Sequence, residues 1–455
     1  MKYDLTPRDV GKTETPYRRI KTKLPVPESL PVLEKLARYE PRQFRSIPPV
    51  GVVWDRAEGF QIYDRYGNKW LDWTSGVLVA SAGHAREEIK KAIVDQLNSS
   101  LLFNYVFPNE IRLKLIEKLI QITPDPLNMV ILLSTGAEAV ERAIKLARIW
   151  GKKVGGKKKI GIVSFEGAFH GRTLGSQMIG GIPSLKEWIV NLDPDMHQVP
   201  YPGDFRCKNK DFSLFEETLA NKGLKSENIA AVITETFQGG GASFMPKEYA
   251  QKLAEWCKRE NVLLIMDEVQ AGFGRTGKMF GFEHYEIVPD LICCAKATTS
   301  SLPLSCVIGR SEVMDVDDPV TSTHSGNPLC VAAALANINL IEKENLVENA
   351  ARVGEFFSAE LNKLKEEYGD IIGTVCGKGL VYGLHIVKKG TIEPDGELAY
   401  KIVRRCVEKG LMLFSPVGFG GATIKICPPL IITKEAVSDG ITALREAIEE
   451  SLENR

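Results

Sequence analysis

The chain has 455 residues, of which 44% are hydrophobic and 25% charged, which is ordinary globular usage and length enough for a large α/β domain with a satellite. Its 58 basic and 58 acidic side chains cancel, which argues against a histone-like or general nucleic-acid binder. No apolar run approaches the ~18 residues of a membrane helix, the opening residues carry no secretory pattern, and nine cysteines without a CxxC pair fit reduced thiols in the cytoplasm.

In chain order, residues 1–60 read as a proline-dotted arm with one helix near Leu30–Tyr39, expected to join a small domain. Gln61–Trp73 alternates around a Tyr-Gly-Asn turn and predicts a hairpin. Helices are expected from about Ala85 to Ser99 and from about Pro108 to Ile122. From Met129 onward the rhythm changes to short apolar strands, at Met129–Leu133, Ile160–Phe165, Ala230–Glu235, Val262–Met266, Leu291–Ala295 and Cys306–Ile308. Helical patterns lie between several of them, at Ala137–Trp150 and Lys247–Glu260. Buried strands alternating with amphipathic helices predict an α/β fold with a mostly parallel central sheet covered by helices. The large domain is placed at 61–325. A long helix near Leu329–Glu344 connects it to a smaller α+β domain over 326–455. The lysine-rich segment Gly151–Ile160 reads as a solvated loop.

Chemistry concentrates between Val262 and Lys296. The apolar run VLLIM ends in Asp267-Glu268, and acidic residues at the carboxyl end of a parallel strand sit where α/β proteins bind ligands. The run LICCA ends in Lys296, where apolar neighbours can lower an amine pKa and make it a nucleophile. Taken alone, the same pair also fits a turn cap and a solvent-reaching lysine. Phe169, His170 and Gly136 taken singly fit core, structural and turn roles. No HExxH, EF-hand loop or Walker A pattern is present, so no metal is expected.

The segment MDEVQAGFGRTG (Met266–Gly277), with Lys296 and then Leu302-Pro303-Leu304, resembles the class III aminotransferases, which are pyridoxal-phosphate enzymes of fold type I of the ornithine and 4-aminobutyrate aminotransferase kind. Five further segments resemble family motifs in the family's order. They are Thr135-Gly136-Ala137-Glu138-Ala139, Phe169-His170-Gly171-Arg172-Thr173, Glu235-Thr236-Phe237-Gln238-Gly239, Thr323-His324-Ser325-Gly326-Asn327-Pro328 and Cys427-Pro428-Pro429-Leu430.

The resemblance implies pyridoxal 5'-phosphate held as a Schiff base on Lys296, with Asp267 keeping its ring nitrogen protonated. It further implies a phosphate cup of Thr135, Gly136 and Ala137, stacking by Phe169, and cofactor contacts from Glu235 and Gln270. Thr323 resembles the threonine that reaches the partner subunit's phosphate, so a homodimer or dimer of dimers is expected. The implied partners are an amino donor, either an amino acid or an ω-amino compound, and a 2-oxo acid acceptor.

Departures from the family pattern fall near the expected substrate. Ala297-Thr298-Thr299-Ser300-Ser301 replaces a glycine-rich run, and Thr236 replaces a proline. His324-Ser325 replaces an aromatic-glycine pair, and Ala85-Arg86 follows Gly83-His84 in an unusual way. Lys425 stands where many members carry a carboxylate-clamping arginine. It is the first candidate for specificity, with Leu78 and Tyr105 behind it. Racemisation, decarboxylation or aminomutation on the same lysine remain alternatives, as does a non-catalytic binding protein on this fold. A nicotinamide enzyme lacks the GxGxxG it would need.

Overall fold

The computed structural model describes residues 4–41, 50–317 and 322–453. The chain forms two compact units, one of residues 87–347 and one built from both chain ends, 1–86 and 348–455. The division differs from the pattern-based one at both borders, for identifiable reasons. Strand Lys69–Asp72, expected in the large domain, pairs in parallel with Leu411–Met412. The indole of Trp70 on that strand donates to the Val407 carbonyl at 2.9 Å. Helix Pro328–Lys343 packs on helices Glu87–Asn98 and Glu110–Gln121, so it belongs to the larger unit.

The larger unit is organised by a seven-stranded sheet. In chain order its strands are β1 (Met129–Leu133), β2 (Gly161–Phe165), β3 (Met196–Val199), β4 (Ile229–Glu235), β5 (Leu263–Asp267), β6 (Leu291–Cys294) and β7 (Ser305–Gly309). They lie in the order β1-β7-β6-β5-β4-β2-β3, parallel except for β7, which runs antiparallel to both neighbours. Strands β2, β4, β5, β6 and β7 are buried along their whole length, which explains their near-continuous apolar sequences. The edge strand β3, Met-His-Gln-Val, is only half-buried and carries no apolar run, so periodicity gives no sign of it.

Helix α1 (Gly136–Gly155) covers this sheet with Ala139, Val140, Ala143, Ile144, Ala147 and Trp150, a stripe at helical spacing. Its first turn is closed reciprocally. The Thr135 hydroxyl accepts from the Glu138 amide at 3.3 Å, and the Glu138 carboxylate accepts from the Ser134 amide at 2.9 Å. The helix runs to Gly155, so it takes in Lys152 and Lys153, which the pattern assigned to a loop. Lys159 corrects the expectation of a wholly solvated segment, because it is buried and its ammonium donates to the Ser226 carbonyl at 3.3 Å.

In the unit of the two chain ends, the hairpin Gln61–Tyr63 and Lys69–Asp72 forms as expected. A separate antiparallel sheet joins Ile372–Lys378, Val381–Ile386 and Thr423–Ile426. Arg18 fastens the arm. Its guanidinium donates to both oxygens of Asp439 at 2.6 and 3.0 Å and to the Lys409 carbonyl at 2.9 Å, with only 4% of Arg18 exposed. Removing one partner of such a pair leaves the other charge largely desolvated. Arg18→Ala is therefore expected to cost about 2–4 kcal/mol in urea denaturation. A loss well below that range would mean that water replaces the guanidinium.

Candidate active site

The site follows from strand register. On the parallel strands β4, β5 and β6, Glu235 lies beside Asp267 and Asp267 beside Cys293, so two carboxylates reach the carboxyl ends of neighbouring strands at one level. Lys296 follows Cys293 by three residues and opens a short 3-10 turn just past the strand. The N-terminus of α1 meets the same place. A β-carbon added at Gly136 would lie 3.0 Å from Val269 and 3.4 Å from Ala295. The Thr135-Gly136-Ala137 turn thus rests on the residues that flank Asp267 and Lys296, and its side chain-free position is what allows this approach.

Asp267 accepts from the Val269 amide at 3.1 Å and pairs with Nδ1 of His170 at 2.8 Å, both side chains being buried. Glu235 gathers three more segments. One oxygen accepts from the Phe169 amide at 2.9 Å, and the other accepts from the Gly239 amide at 2.9 Å and from the Gln270 side chain at 3.4 Å. Sequence motifs separated by tens of residues therefore converge on two carboxylates. Phe169 is half-buried, and the Arg172 guanidinium lies 5.6 Å from its ring centroid.

Lys296 is partly exposed and takes φ +40°, in the left-handed region that non-glycine residues avoid at a cost of about 1–3 kcal/mol. The following segment holds it there. The buried Asn337 side chain donates to the carbonyls of Ala297 and Thr298 at 2.8 and 3.0 Å, and the Thr298 hydroxyl donates to the Ala295 carbonyl at 2.8 Å. Thr299 and Ser301 also bond within the loop, consistent with the expected hydroxyl-rich, stiffened chain.

Three contributors, His170, Arg172 and Asn337, have no site role in the sequence reading, and Glu268 enters it only as an acidic strand-end residue. His170 was set aside as structural, although it follows Phe169 directly. Arg172 offered the same signal two residues further on. Asn337 is a polar residue on the buried side of a mostly apolar helix, with only Asn339 and the closing Glu342-Lys343 as other polar positions. Glu268 is buried beneath the site and accepts from the Gly281 and Phe282 amides at 2.6 and 3.1 Å and from the Thr236 hydroxyl.

The remaining candidates lie elsewhere. Thr323 is exposed in a turn that Ser325 ties to the Leu132 carbonyl and Asn327 to the Leu102 carbonyl. Tyr105 is half-buried in the loop preceding helix Glu110–Gln121, at φ +52°. Lys425 and Leu78 belong to the unit of the chain ends. Lys425 is buried on strand Thr423–Ile426 opposite Gly383, so it does not point to solvent. Leu78 is buried at φ +62°.

Burial sets the electrostatics. It pushes the Glu268 carboxyl up to about 7, outweighing its three donors. It raises Glu235 as well, against the His170 charge and the Phe169 and Gly239 amides. For His170, burial opposes the charge, but the hydrogen bond and charge of Asp267 prevail and the pKa rises.

This donor set fits pyridoxal phosphate: amides at a helix start for a phosphate, a fixed carboxylate for a ring N–H⁺, an aromatic face and a strand-end amine. The fold and the site together define a fold type I pyridoxal-phosphate enzyme. Residues 44–448 match the family model "Aminotransferase class-III". A 4-aminobutyrate aminotransferase of Mycobacterium leprae is 34% identical over 442 residues, 94% of this chain and 97% of that protein. An alanine/serine racemase of Pyrococcus horikoshii is 35% identical over 415 residues, 87% of this chain and 85% of that one. The structure of an (S)-enantioselective omega-transaminase from Thermomicrobium roseum superposes with TM-score 0.83 at 29% identity, covering 92% and 95% of the two chains. The chain belongs to the class III aminotransferases, and it is a pyridoxal-phosphate-dependent enzyme.

Glu268 yields a pH test. In the unfolded chain its pKa is near 4.5 and in the fold about 7, so the fold binds this proton more tightly. The stability it contributes is complete below about 4.5 and is lost as pH rises through about 7. Glu268→Gln is expected to flatten the decline of unfolding free energy between about pH 5 and pH 8. Equal slopes in parent and variant would assign that proton to another group.

Proposed function

We propose that Lys296 is the catalytic amine and Asp267 the group that holds the ring proton, with Thr135, Gly136 and Ala137 binding the phosphate. The observation that carries this is the strand register that sets Asp267 beside Glu235 and Cys293, with Lys296 held at φ +40° just beyond. Pyridoxal phosphate supplies an electron sink for the carbon that loses its proton. With the cofactor bound, the Nζ atom of Lys296 would be the group that takes up and returns the substrate's α-proton. His170 orients Asp267, and Glu235 fixes the Phe169 backbone beneath the stacking ring while steadying Gln270.

The 2-oxo acid acceptor carries a carboxylate. Arg172, exposed beside the Phe169 ring, offers a planar fork for it. Nine cysteines, none of them disulfide-bonded, support a reducing, cytoplasmic location. Among the described residues no helix is long and apolar enough to cross a membrane.

Borohydride reduction followed by peptide mass spectrometry is expected to recover the cofactor on Lys296, and Lys296→Ala is expected to bind cofactor without turnover. Recovery on another lysine would overturn the assignment. Racemisation is the second reading, because a racemase and an aminotransferase are about equally similar to this chain. The donor added without 2-oxo acid discriminates between them: an aminotransferase converts its cofactor band to the pyridoxamine form, and a racemase keeps the band while scrambling the donor's chirality.

The active unit is a homodimer that shares its sites. Leu101, Leu102, Phe103, Val106 and Phe107 are exposed in one loop, and the Phe103 ring lies 5.2 Å from His324, next to Thr323. This apolar surface beside Thr323 is where a second copy docks. Heterodimers of Lys296→Ala with Thr323→Ala subunits collect both defects in one site and leave the other intact. They are expected to exceed either parent in activity, and activity equal to the simple average of the parents would refute sharing.

A further inference from the structure

Helix Pro328–Lys343 packs against the turn Lys296–Thr298 that follows strand β6. From this helix the wholly buried Asn337 sends its side-chain amide into the turn, where Nδ2 donates to the Ala297 carbonyl at 2.8 Å and to the Thr298 carbonyl at 3.0 Å. Two acceptors in succession demand a donor, so the nitrogen and not the oxygen must face them. The Oδ1 atom is buried and has no hydrogen-bond partner among the described residues. An unpaired buried acceptor is unfavourable, so this side chain is a poor device for stability alone, and its gain lies in the two bonds it donates.

Those bonds complete a closure around Lys296. On one side the Ala295 carbonyl accepts from the Thr298 amide at 2.9 Å and from the Thr298 hydroxyl at 2.8 Å. On the other the chain is buried through Thr299, whose hydroxyl donates to the Leu302 carbonyl and accepts from the Ser301 amide at 3.1 Å. Between them Lys296 keeps φ +40°, a strained value that persists only where neighbouring bonds over-determine it. The lysine side chain is long, so the backbone torsion at its root decides where Nζ can reach. A return to ordinary right-handed or extended backbone would redirect the Cα–Cβ bond and carry Nζ with it.

We propose that Asn337 is a positioning residue for proton transfer: by holding the Ala297 and Thr298 carbonyls it keeps Lys296 left-handed and so aims Nζ at the carbon that gives up its proton. In that step the C–H bond breaks, the proton passes to the Nζ lone pair, and the bonding electrons stay with the donor carbon, drawn toward the bound cofactor's electron sink. Nζ then returns a proton. Misplacing a reacting group by about 1 Å costs on the order of 10²-fold in rate. This role rests on Lys296 being the catalytic amine, and every residue in it belongs to the unit 87–347.

The holoenzyme is compared with Asn337→Leu, which keeps the bulk and removes the donors. Hydrogen exchange is followed by mass spectrometry over residues 295–303. Proton transfer is read by NMR as washout into D2O of the hydrogen on the amine-bearing carbon, using whichever of L-alanine, L-lysine and n-propylamine the parent exchanges fastest. Washout reports the step whether transamination or racemisation follows it. Asn337→Leu is expected to quicken exchange at the Thr298 and Ser301 amides about tenfold or more. It is expected to slow washout at saturating amine about 10–100-fold while moving the half-saturating concentration less than about threefold. Leu219→Ala, a buried change on helix Ser213–Asn221 beside the edge strand β3, serves as the control for lost stability and is expected to alter neither readout. If Asn337→Leu leaves both readouts at parental values, the lock is refuted. If it quickens amide exchange without slowing washout, or if Leu219→Ala slows washout equally, Asn337 is a structural clip and the positioning role falls. Recovery of the borohydride-fixed cofactor on a residue other than Lys296 overturns the reading of the amine itself, whatever the loop does. Should Asn337→Leu fail to fold, Thr298→Val removes the neighbouring hydroxyl bond to Ala295 with the same expectations and the same refutation, and Thr298→Ser is expected to restore both readouts.

Discussion

Alignment of three neighbouring parallel strands is the constraint on which the rest of this protein depends. A strand advances its side chains in steps of two, so one unit of slippage would turn Asp267 to the opposite face and bury the wrong group beside Glu235. Because Asp267, Glu235 and Cys293 stand in register, the loops that leave β4, β5 and β6 all start from one level. The α1 N-terminus enters the same space because Gly136 lets it close on Val269 and Ala295.

That convergence concentrates acidic groups where water is scarce. Glu235, Asp267 and Glu268 are all buried, with His170 as their one imidazole partner. Glu235 accepts from the Phe169 amide and Glu268 from the Gly281 and Phe282 amides, so each of these two carboxylates fixes a loop outside its own strand end as it is itself fixed. Thr236, where the family commonly has proline, supplies a hydroxyl to Glu268, and an added β-carbon at Gly281 would strike its methyl group at 2.7 Å. The departure is therefore built into the support beneath the site. The same is true after Lys296, where hydroxyl groups and Asn337 take up backbone bonds that a flexible glycine run would leave to solvent.

Each unit holds backbone strain, at Lys296 in one and at Ser75–Leu78 in the other. In each case a buried polar side chain, Asn337 or Asp72, fastens the backbone through paired hydrogen bonds. Strain stored this way is set by bonds to residues far along the chain, so substitutions remote from the chemistry are able to alter it.

Much was legible in the sequence. The strands of the large sheet other than β3 were expected within a residue or two at each end. Their type followed from apolar runs bounded by helical stripes, a local property that each segment carries by itself. The ordered motifs gave the family and the cofactor for a similar reason, since each is a short stretch whose chemistry survives without its surroundings. Partnership was not legible. That His170 would meet Asp267, that Glu235 would gather Phe169, Gly239 and Gln270, and that Lys159 and Lys425 would be buried depend on which strands lie side by side. The left-handed turn at Ser75–Leu78 had no local signal beyond one glycine, because local preference opposes it. It exists because Asp72, His84 and Cys427 hold it there. Sequence determined the elements and the chemical groups they carry. Tertiary structure decided which groups share a desolvated space, and hydrogen bonds and charges act only over such short distances.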